Sequence, residues 1–302
     1  MQGPPEELVA LLAQRHGGPE ADGWTPLTGG QTNRSWRVQV GGAAWVVKLF
    51  SQDADNPLFP NSARNETALL RRLAPIGLAP RLIDAQTTAF GPCLLYTYQE
   101  GSPWHGDPAL AARALSLLHR QDLNDLPDGL RHLEGGSDHL TAQTERIVDR
   151  LPVSAQKHLR TLRPDGSVPA TDHLVLLHGD LVPGNVIVDG SRVTLIDWQC
   201  PAIGDPVEDL AIFLSPAMQH IYRGRPLSDA EKSAFIMGYD NQNISQRIEL
   251  MAPWYHWRMA AYCAWKAAQG QQQSHSAGAL AIAALRAQSG VFAGPAERRG
   301  VV

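Results

Sequence analysis

The sequence predicts an α+β protein in two unequal lobes, on three observations. The first third alternates apolar and polar residues with the period of a strand, the remainder carries mostly helical spacing, and a polar stretch, Gln99-Glu100-Gly101-Ser102-Pro103, lies between them. A boundary there divides residues 1–98, a small antiparallel sheet lobe, from residues 99–302, a larger and mostly helical lobe.

In chain order, Glu6-Glu7-Leu8-Val9-Ala10-Leu11-Leu12 reads as a short amphipathic helix with early acidic residues. Ser35 to Val40 alternates with period two, Gly41-Gly42 makes a tight turn, and Ala44 to Phe50 returns, so the pair reads as a hairpin. A helix over Glu66 to Leu73 follows, with Asn61-Ser62 as its cap and Pro75, Gly77 and Pro80 ending it. Leu82 to Asp84 and Cys93 to Tyr98 read as further strands. Beyond the boundary, Pro108 to Arg120, Leu140 to Arg150 and Pro253 to Gln269 have helical spacing, and Val175 to Leu177, Val186 to Val188 and Val193 to Ile196 are short strand-like runs. Residues 121–139 and 163–173 are connectors, Gln269 to Gln273 is a polar linker, and the last ten residues are expected to fray.

Composition narrows the classes. With 43% hydrophobic and 19% charged residues over 302 positions, the chain can bury a sizeable core and is not disordered. A net charge of −4 leaves no general basic surface for nucleic acid. Cys93, Cys200 and Cys263 stand far apart with no CxxC pair, which argues against a disulfide framework or a structural zinc and suits a reducing compartment. The start is too acidic for a signal peptide, and the apolar run Ala277 to Leu285 is too short to span a bilayer. The expectation is a cytoplasmic protein, monomer or homodimer, with no nucleic-acid or membrane partner.

The segment that carries chemistry is His178-Gly179-Asp180-Leu181-Val182-Pro183-Gly184-Asn185, followed by Ile196-Asp197-Trp198. An aspartate, an asparagine five residues on and a second aspartate twelve beyond that stand on loops flanking short strands. One carboxylate can orient an acceptor hydroxyl, while an amide oxygen and the second carboxylate offer hard ligands to magnesium between phosphates. Asx-rich turns capping strands are the plain alternative. Three upstream parts in the right order weigh against it. Lys48 stands inside an apolar strand, where it needs a partner or a phosphate. Glu66, eighteen residues later on the expected helix, can pair with it. Leu27-Thr28-Gly29-Gly30-Gln31-Thr32-Asn33 is a loop whose amides can cover phosphates.

This ordering resembles the aminoglycoside phosphotransferase and choline kinase superfamily, relatives of the protein kinases, from about Leu27 to Leu214. His178-Gly179-Asp180 with Asn185 is similar to the family's catalytic loop, Asp197 to its metal-binding aspartate, and Ala114 to His119 to its helix ending in Leu-His. Gly204-Asp205-Pro206-Val207-Glu208-Asp209-Leu210-Ala211 is similar to its Gly-Asp-Pro-x-x-Asp-Leu-Ala element. The resemblance implies a protein-kinase-like bilobal fold and a phosphotransferase that uses ATP and Mg2+. It implies that Lys48 binds phosphates, Glu66 positions it, Gly29, Gly30, Thr32 and Asn33 cover the nucleotide, and adenine packs at a hinge of Tyr96, Thr97 and Tyr98. Asp180 is then the catalytic residue, and Asn185 and Asp197 the magnesium ligands. Gly-Gly-x-Thr-Asn is closest to choline- and thiamine-kinase-like members, and the third spaced glycine of protein kinases is absent. His178 is expected to brace the loop, and Asp205 and Asp209 to tie the following helix to it.

The acceptor, a small molecule with a hydroxyl, is sought in the helical lobe. At 100° per residue Trp254, Trp257, Arg258 and Trp265 share one helix face. They are candidates for an aromatic box around a quaternary ammonium, set against simple packing of the core. Residues 101–250 carry 13 basic and 20 acidic side chains, and residues 251–302 carry five and one. A polycationic aminoglycoside wants more carboxylates than that last segment offers, so a choline- or ethanolamine-like amino alcohol is the favoured acceptor. Aminoglycoside, aminosugar, sugar and thiamine kinases are alternatives, and a silent nucleotide-binding pseudokinase is the competing class.

Overall fold

In the first lobe the period-two alternation becomes two faces of one sheet. The computed structural model describes residues 3–18, 23–27, 32–52, 55–241 and 243–292. Helix α1 (Glu6–His16) precedes strands β1 (Trp24–Pro26), β2 (Arg34–Val40) and β3 (Ala43–Leu49), and helix α2 (Ala63–Leu73) then leads to β4 (Leu82–Thr88) and β5 (Gly91–Thr97). The strands form one antiparallel sheet in the order β1-β2-β3-β5-β4. Trp36, Val38, Val47, Leu49, Cys93 and Leu95 share one face, where Leu8 and Leu12 of α1 pack on them. The residues out of phase on β3 and β5, among them Val46, Leu94 and Tyr96, join Leu69, Leu70 and Leu73 of α2 in the main core. Lys48 is in phase with this second group, so alternation alone delivers it to the face that α2 covers.

The second lobe is helical, as expected, with short strands where the chemistry sits. Strand β6 (Ser102–Pro103), helix α3 (Pro108–His119), strand β7 (Arg131–Leu133) and helices α4 (Gly136–Val148) and α5 (Val153–Arg160) precede β8 (Val175–Leu177). Strands β9 (Val186–Asp189), β10 (Arg192–Leu195) and β11 (Ala202–Gly204) follow, then helices α6 (Val207–Leu214), α7 (Pro216–Arg223), α8 (Asp229–Tyr239), α9 (Ile244–Ala268) and α10 (Gln273–Phe292). Two three-stranded sheets result, β10-β9-β6 and β7-β11-β8, the second with a parallel β7-β11 pair.

Helix α9 departs most from the sequence reading. A proline is favoured at a helix start, so Pro253 looked like the beginning. It lies inside the helix, because Ile244, Ile248 and Met251 ahead of it are buried in the core. That packing outweighs the local cost of an interior proline, about 3 kcal/mol. The helix is buried on nearly all sides, the expected behaviour of a central element. The apolar run Ala277 to Leu285 is the middle of α10, whose Ala277, Ala281 and Leu285 are buried at four-residue spacing. Helices α5, α7, α8 and α10 and strands β6, β7 and β11 were not anticipated, and the last ten residues lie outside the described region. No helix among the described residues is long and apolar enough to cross a membrane.

Candidate active site

A cleft of about 650 Å³ is lined by residues of both lobes, and Lys48, Asp180 and Asp197, singled out in the sequence, meet in it. Lys48 Nζ donates to Glu66 Oε2 at 2.5 Å and to Asp197 Oδ1 at 2.5 Å, joining a strand, a helix and a loop 149 residues apart. Lys48 and Glu66 are almost fully buried, whereas the Asp197 side chain keeps 27% exposure and opens on the cleft. Burial disfavours the charge on Lys48, but Asp197 and Glu66 outweigh it and hold the ammonium well above the ordinary lysine range. Burial pushes the Glu66 carboxyl above the usual carboxylate range, with Lys48 opposing. A charge this deep is tolerated only because it is paired.

The His178-Gly179-Asp180 segment is held by backbone hydrogen bonds to one buried carboxylate. Asp209 on α6 accepts from His178 N at 2.7 Å and from Gly179 N at 2.8 Å, and also meets His119 Nε2 at 3.1 Å. His119 Nδ1 lies 2.7 Å from the Tyr239 hydroxyl, which extends the chain of contacts from α3 to α8. His178 is buried and kept neutral by its burial, and its Nε2 lies 3.0 Å from Ile196 O while Asp180 N donates to Nδ1. His178 is thus a brace between the two loops, as the sequence reading held, and Asp209 ties α6 to the first of them, whereas Asp205 caps α6 at Val207 N and pairs with Arg247 of α9. Gly179 has φ +81, and a Cβ there would fall 2.0 Å from Cys200 O, so no other residue fits. Asp197 itself adopts φ 67, a strained conformation for a non-glycine residue that aims its carboxylate at Lys48 and the cleft.

Asp180 lies on the cleft, partly buried. Burial, with Asp197 and Asp209 nearby, pushes its carboxyl up to about 8, well above an ordinary carboxylate near 4. Asn185 Nδ2 donates to Asp180 O at 2.9 Å, which orients the amide and leaves its oxygen available. Asn185 Oδ1 and the second Asp197 oxygen form a hard, two-residue donor set, and no cluster of three or more His, Cys, Asp or Glu ligands exists among the described residues. Such a sparse set fits Mg2+, which keeps waters and takes phosphate oxygens, and does not fit an all-protein metal cage.

Of the residues expected to cover a nucleotide, Gly29 and Gly30 lie outside the described residues. Thr32 and Asn33 line the cleft. The Asn33 side chain is committed, however: it exchanges amide hydrogen bonds with Asn61 at 2.9 Å, donates to Gln199 at 2.7 Å and accepts from Ser51 N. It clips the start of β2 to the segment after Asp197. Tyr96, Thr97 and Tyr98 also line the cleft. The Thr97 and Tyr98 amides already donate to Arg81 O and Ala44 O, so neither is free for a base. Gln99, the next residue on this wall, was missed in the sequence because it lies in what read as a linker.

The acceptor-pocket expectation is corrected. Trp254, Trp257 and Arg258 are buried away from the cleft, and Trp265 packs beside the second-lobe core. Trp257 Nε1 donates to Leu159 O at 2.8 Å, and Arg258 forms a two-pronged pair with Glu208 at 2.6 and 3.0 Å and reaches Gln143. The residues of α9 that do reach the cleft are Tyr262, Cys263 and Lys266, centred roughly 120° around the helix from the tryptophan stripe. Phe59 and Tyr222 join them, and Asn56 donates to the Tyr262 hydroxyl at 3.0 Å. The Gln271 to Ser274 stretch, read partly as a linker, is also part of this wall. The i, i+4 spacing of Tyr262 and Lys266 was the one available signal.

A family model described as the phosphotransferase enzyme family matches residues 23–248. A search of curated proteins finds no match to the sequence. Three solved structures show the fold. A choline/ethanolamine kinase family protein from Mesorhizobium loti is 16% identical, with a TM-score of 0.62 over 96% of this chain and 95% of its own. A macrolide 2'-phosphotransferase from Brachybacterium faecium is 21% identical, with a TM-score of 0.52 over 92% and 98%. A thermostable aminoglycoside phosphotransferase, in a ternary complex with AMP-PNP and hygromycin B, is 15% identical, with a TM-score of 0.61 over 94% and 99%.

Proposed function

The chain belongs to the phosphotransferase enzyme family, and we propose that it moves the γ-phosphate of ATP, bound with Mg2+, onto a hydroxyl of a small molecule. The observation that carries this is the single cleft in which Lys48, tied to Glu66 and Asp197, meets Asp180 and Asn185. AMP-PNP in a similar fold supports the choice of donor.

Magnesium-ATP supplies the phosphoryl group and, through the metal, neutralises charge on its oxygens. Lys48 takes phosphate oxygens, and Glu66 keeps its ammonium aimed. Asn185 and Asp197 hold the metal. Asp180 orients the acceptor hydroxyl and receives its proton as the phosphoryl group is transferred. Residues 1–98 serve the nucleotide, and residues 99–302 bring the catalytic loop and the acceptor.

Magnesium-dependent ADP release, measured across acceptors of different charge and removed by EDTA, tests the reading. Nucleotide binding without release for any acceptor would instead make the protein a pseudokinase.

A further inference from the structure

Unlike Lys48, the other cation lining the cleft, Lys266 makes no ion pair among the described residues. Its ammonium lies 6.0 Å from the Tyr262 ring centroid and 5.9 Å from that of Trp265, and among the described residues it makes no ion pair or hydrogen bond. Lys48, the other cation on the cleft, holds two carboxylates. Among the described lining residues the only carboxylates are Asp180 and Asp197, both needed for transfer. No further carboxylate among the described lining residues remains for a cationic group on the acceptor, which would be left to aromatic rings such as that of Tyr262.

Position gives this imbalance a meaning. The acceptor hydroxyl must reach Asp180, so the rest of the acceptor lies along the wall that carries Tyr262, Lys266 and the amides of Gln271 to Gln273. Asp180 and Lys266 feel each other's charge across that space. Lys266 is half-buried, and this burial disfavours its charge. An oxyanion placed against it recovers what hydration has lost, while a trimethylammonium or an aminoglycoside ammonium meets like charge.

We propose that Lys266 is the specificity-determining residue of the acceptor site and receives an anionic group of the acceptor, a carboxylate or phosphate carried by a hydroxyl compound. This rests on the phosphotransferase reading and replaces the amino alcohol favoured from sequence.

The test compares acceptors that differ in charge: choline, glycerol and glycerate, then glucosamine, glucose, gluconate and glucose 6-phosphate. Binding is read by calorimetry on the protein with and without Mg2+ and AMP-PNP, and turnover by ADP release. The wild type is expected to favour an anionic member over its neutral and cationic counterparts by roughly ten- to hundred-fold, the worth of one charge-assisted hydrogen bond. Lys266→Met is expected to remove that preference through acceptor binding and KM, with KM for ATP little moved. Lys266→Arg is expected to keep the preference, and Lys266→Glu to reverse it. Preference for choline or glucosamine, or failure of every anionic member to bind, would overturn the proposal. So would a Lys266→Met variant that loses kcat equally for all acceptors, since Lys266 would then serve the transferred phosphate. Failure of the underlying reading looks different: no AMP-PNP binding and no ADP release with any acceptor. Acceptor binding to the nucleotide-free protein still reports on Lys266 in that case.

Discussion

The two walls of the cleft are built in opposite ways. On the donor wall Lys48 is held by Glu66 and Asp197, and behind the wall Asp209 takes the amides of the loop that carries Asp180. On the acceptor wall aromatic rings and amides surround Lys266, which makes no ion pair among the described residues. A closed network is pre-organised for one task common to every turnover, and low reorganisation is what phosphoryl transfer rewards. An open wall leaves its polar groups for the molecule that completes them. Changes to the donor wall should therefore strike kcat for every acceptor, and changes to the acceptor wall should strike choice among acceptors.

The largest expected effect is at Asp180. Asp180→Asn should lower kcat by about a thousand-fold or more while AMP-PNP still binds, because proton acceptance goes and the phosphate contacts stay. Full turnover in this variant would remove Asp180 from the mechanism. Lys48→Met comes next, with a loss of about a hundred-fold or more in kcat/KM for ATP and a lower Tm, since Glu66 is left buried without its counter-charge. Adding Glu66→Gln should restore part of the Tm and none of the activity, which separates the electrostatic cost from the catalytic one.

A smaller effect tests the boundary of the acceptor wall. Arg258→Met strands Glu208 in the core and should cost about 3–5 kcal/mol in chemical denaturation, with acceptor KM unchanged in the folded fraction. A change in acceptor KM at unchanged stability would return Arg258 to the acceptor site. The smallest effect belongs to Tyr239→Phe, which deletes the hydroxyl against His119 and should cost about 1 kcal/mol. A fall of a few-fold in kcat with unchanged KM values would show that the chain from Tyr239 through His119 to Asp209 also steadies the catalytic loop.

The Lys48–Glu66–Asp197 cluster and the loop that carries Asp180 were legible in the sequence, whereas Gln99 and the wall around Lys266 were not. Asp180, Asn185 and Asp197 lie within eighteen residues, on a loop-strand-loop whose geometry is local, so their spacing carried their chemistry. Alternation along β3 put Lys48 on the α2 face, and the cap at Ser62 set where Glu66 falls on that helix. The same loop reading foresaw His178 as a brace.

Residue type, local spacing and the alternation of a strand thus determined the fold class, the order of the lobes and the charges that meet in the cleft. Tertiary structure alone decided which face of α9 reaches that cleft. Periodicity groups Trp254, Trp257 and Trp265 on one side of a helix, but a helix buried all round has no face marked by polarity. The packing of α4, α5, α6 and α10 around it turned the tryptophans inward and left Tyr262 and Lys266 on the open side. The rest of that wall comes from the loop at Asn56, helix α7 and the start of α10, segments between which no spacing in the chain carries information. What binds there is a property of surfaces brought together by packing, and only the assembled chain contains it.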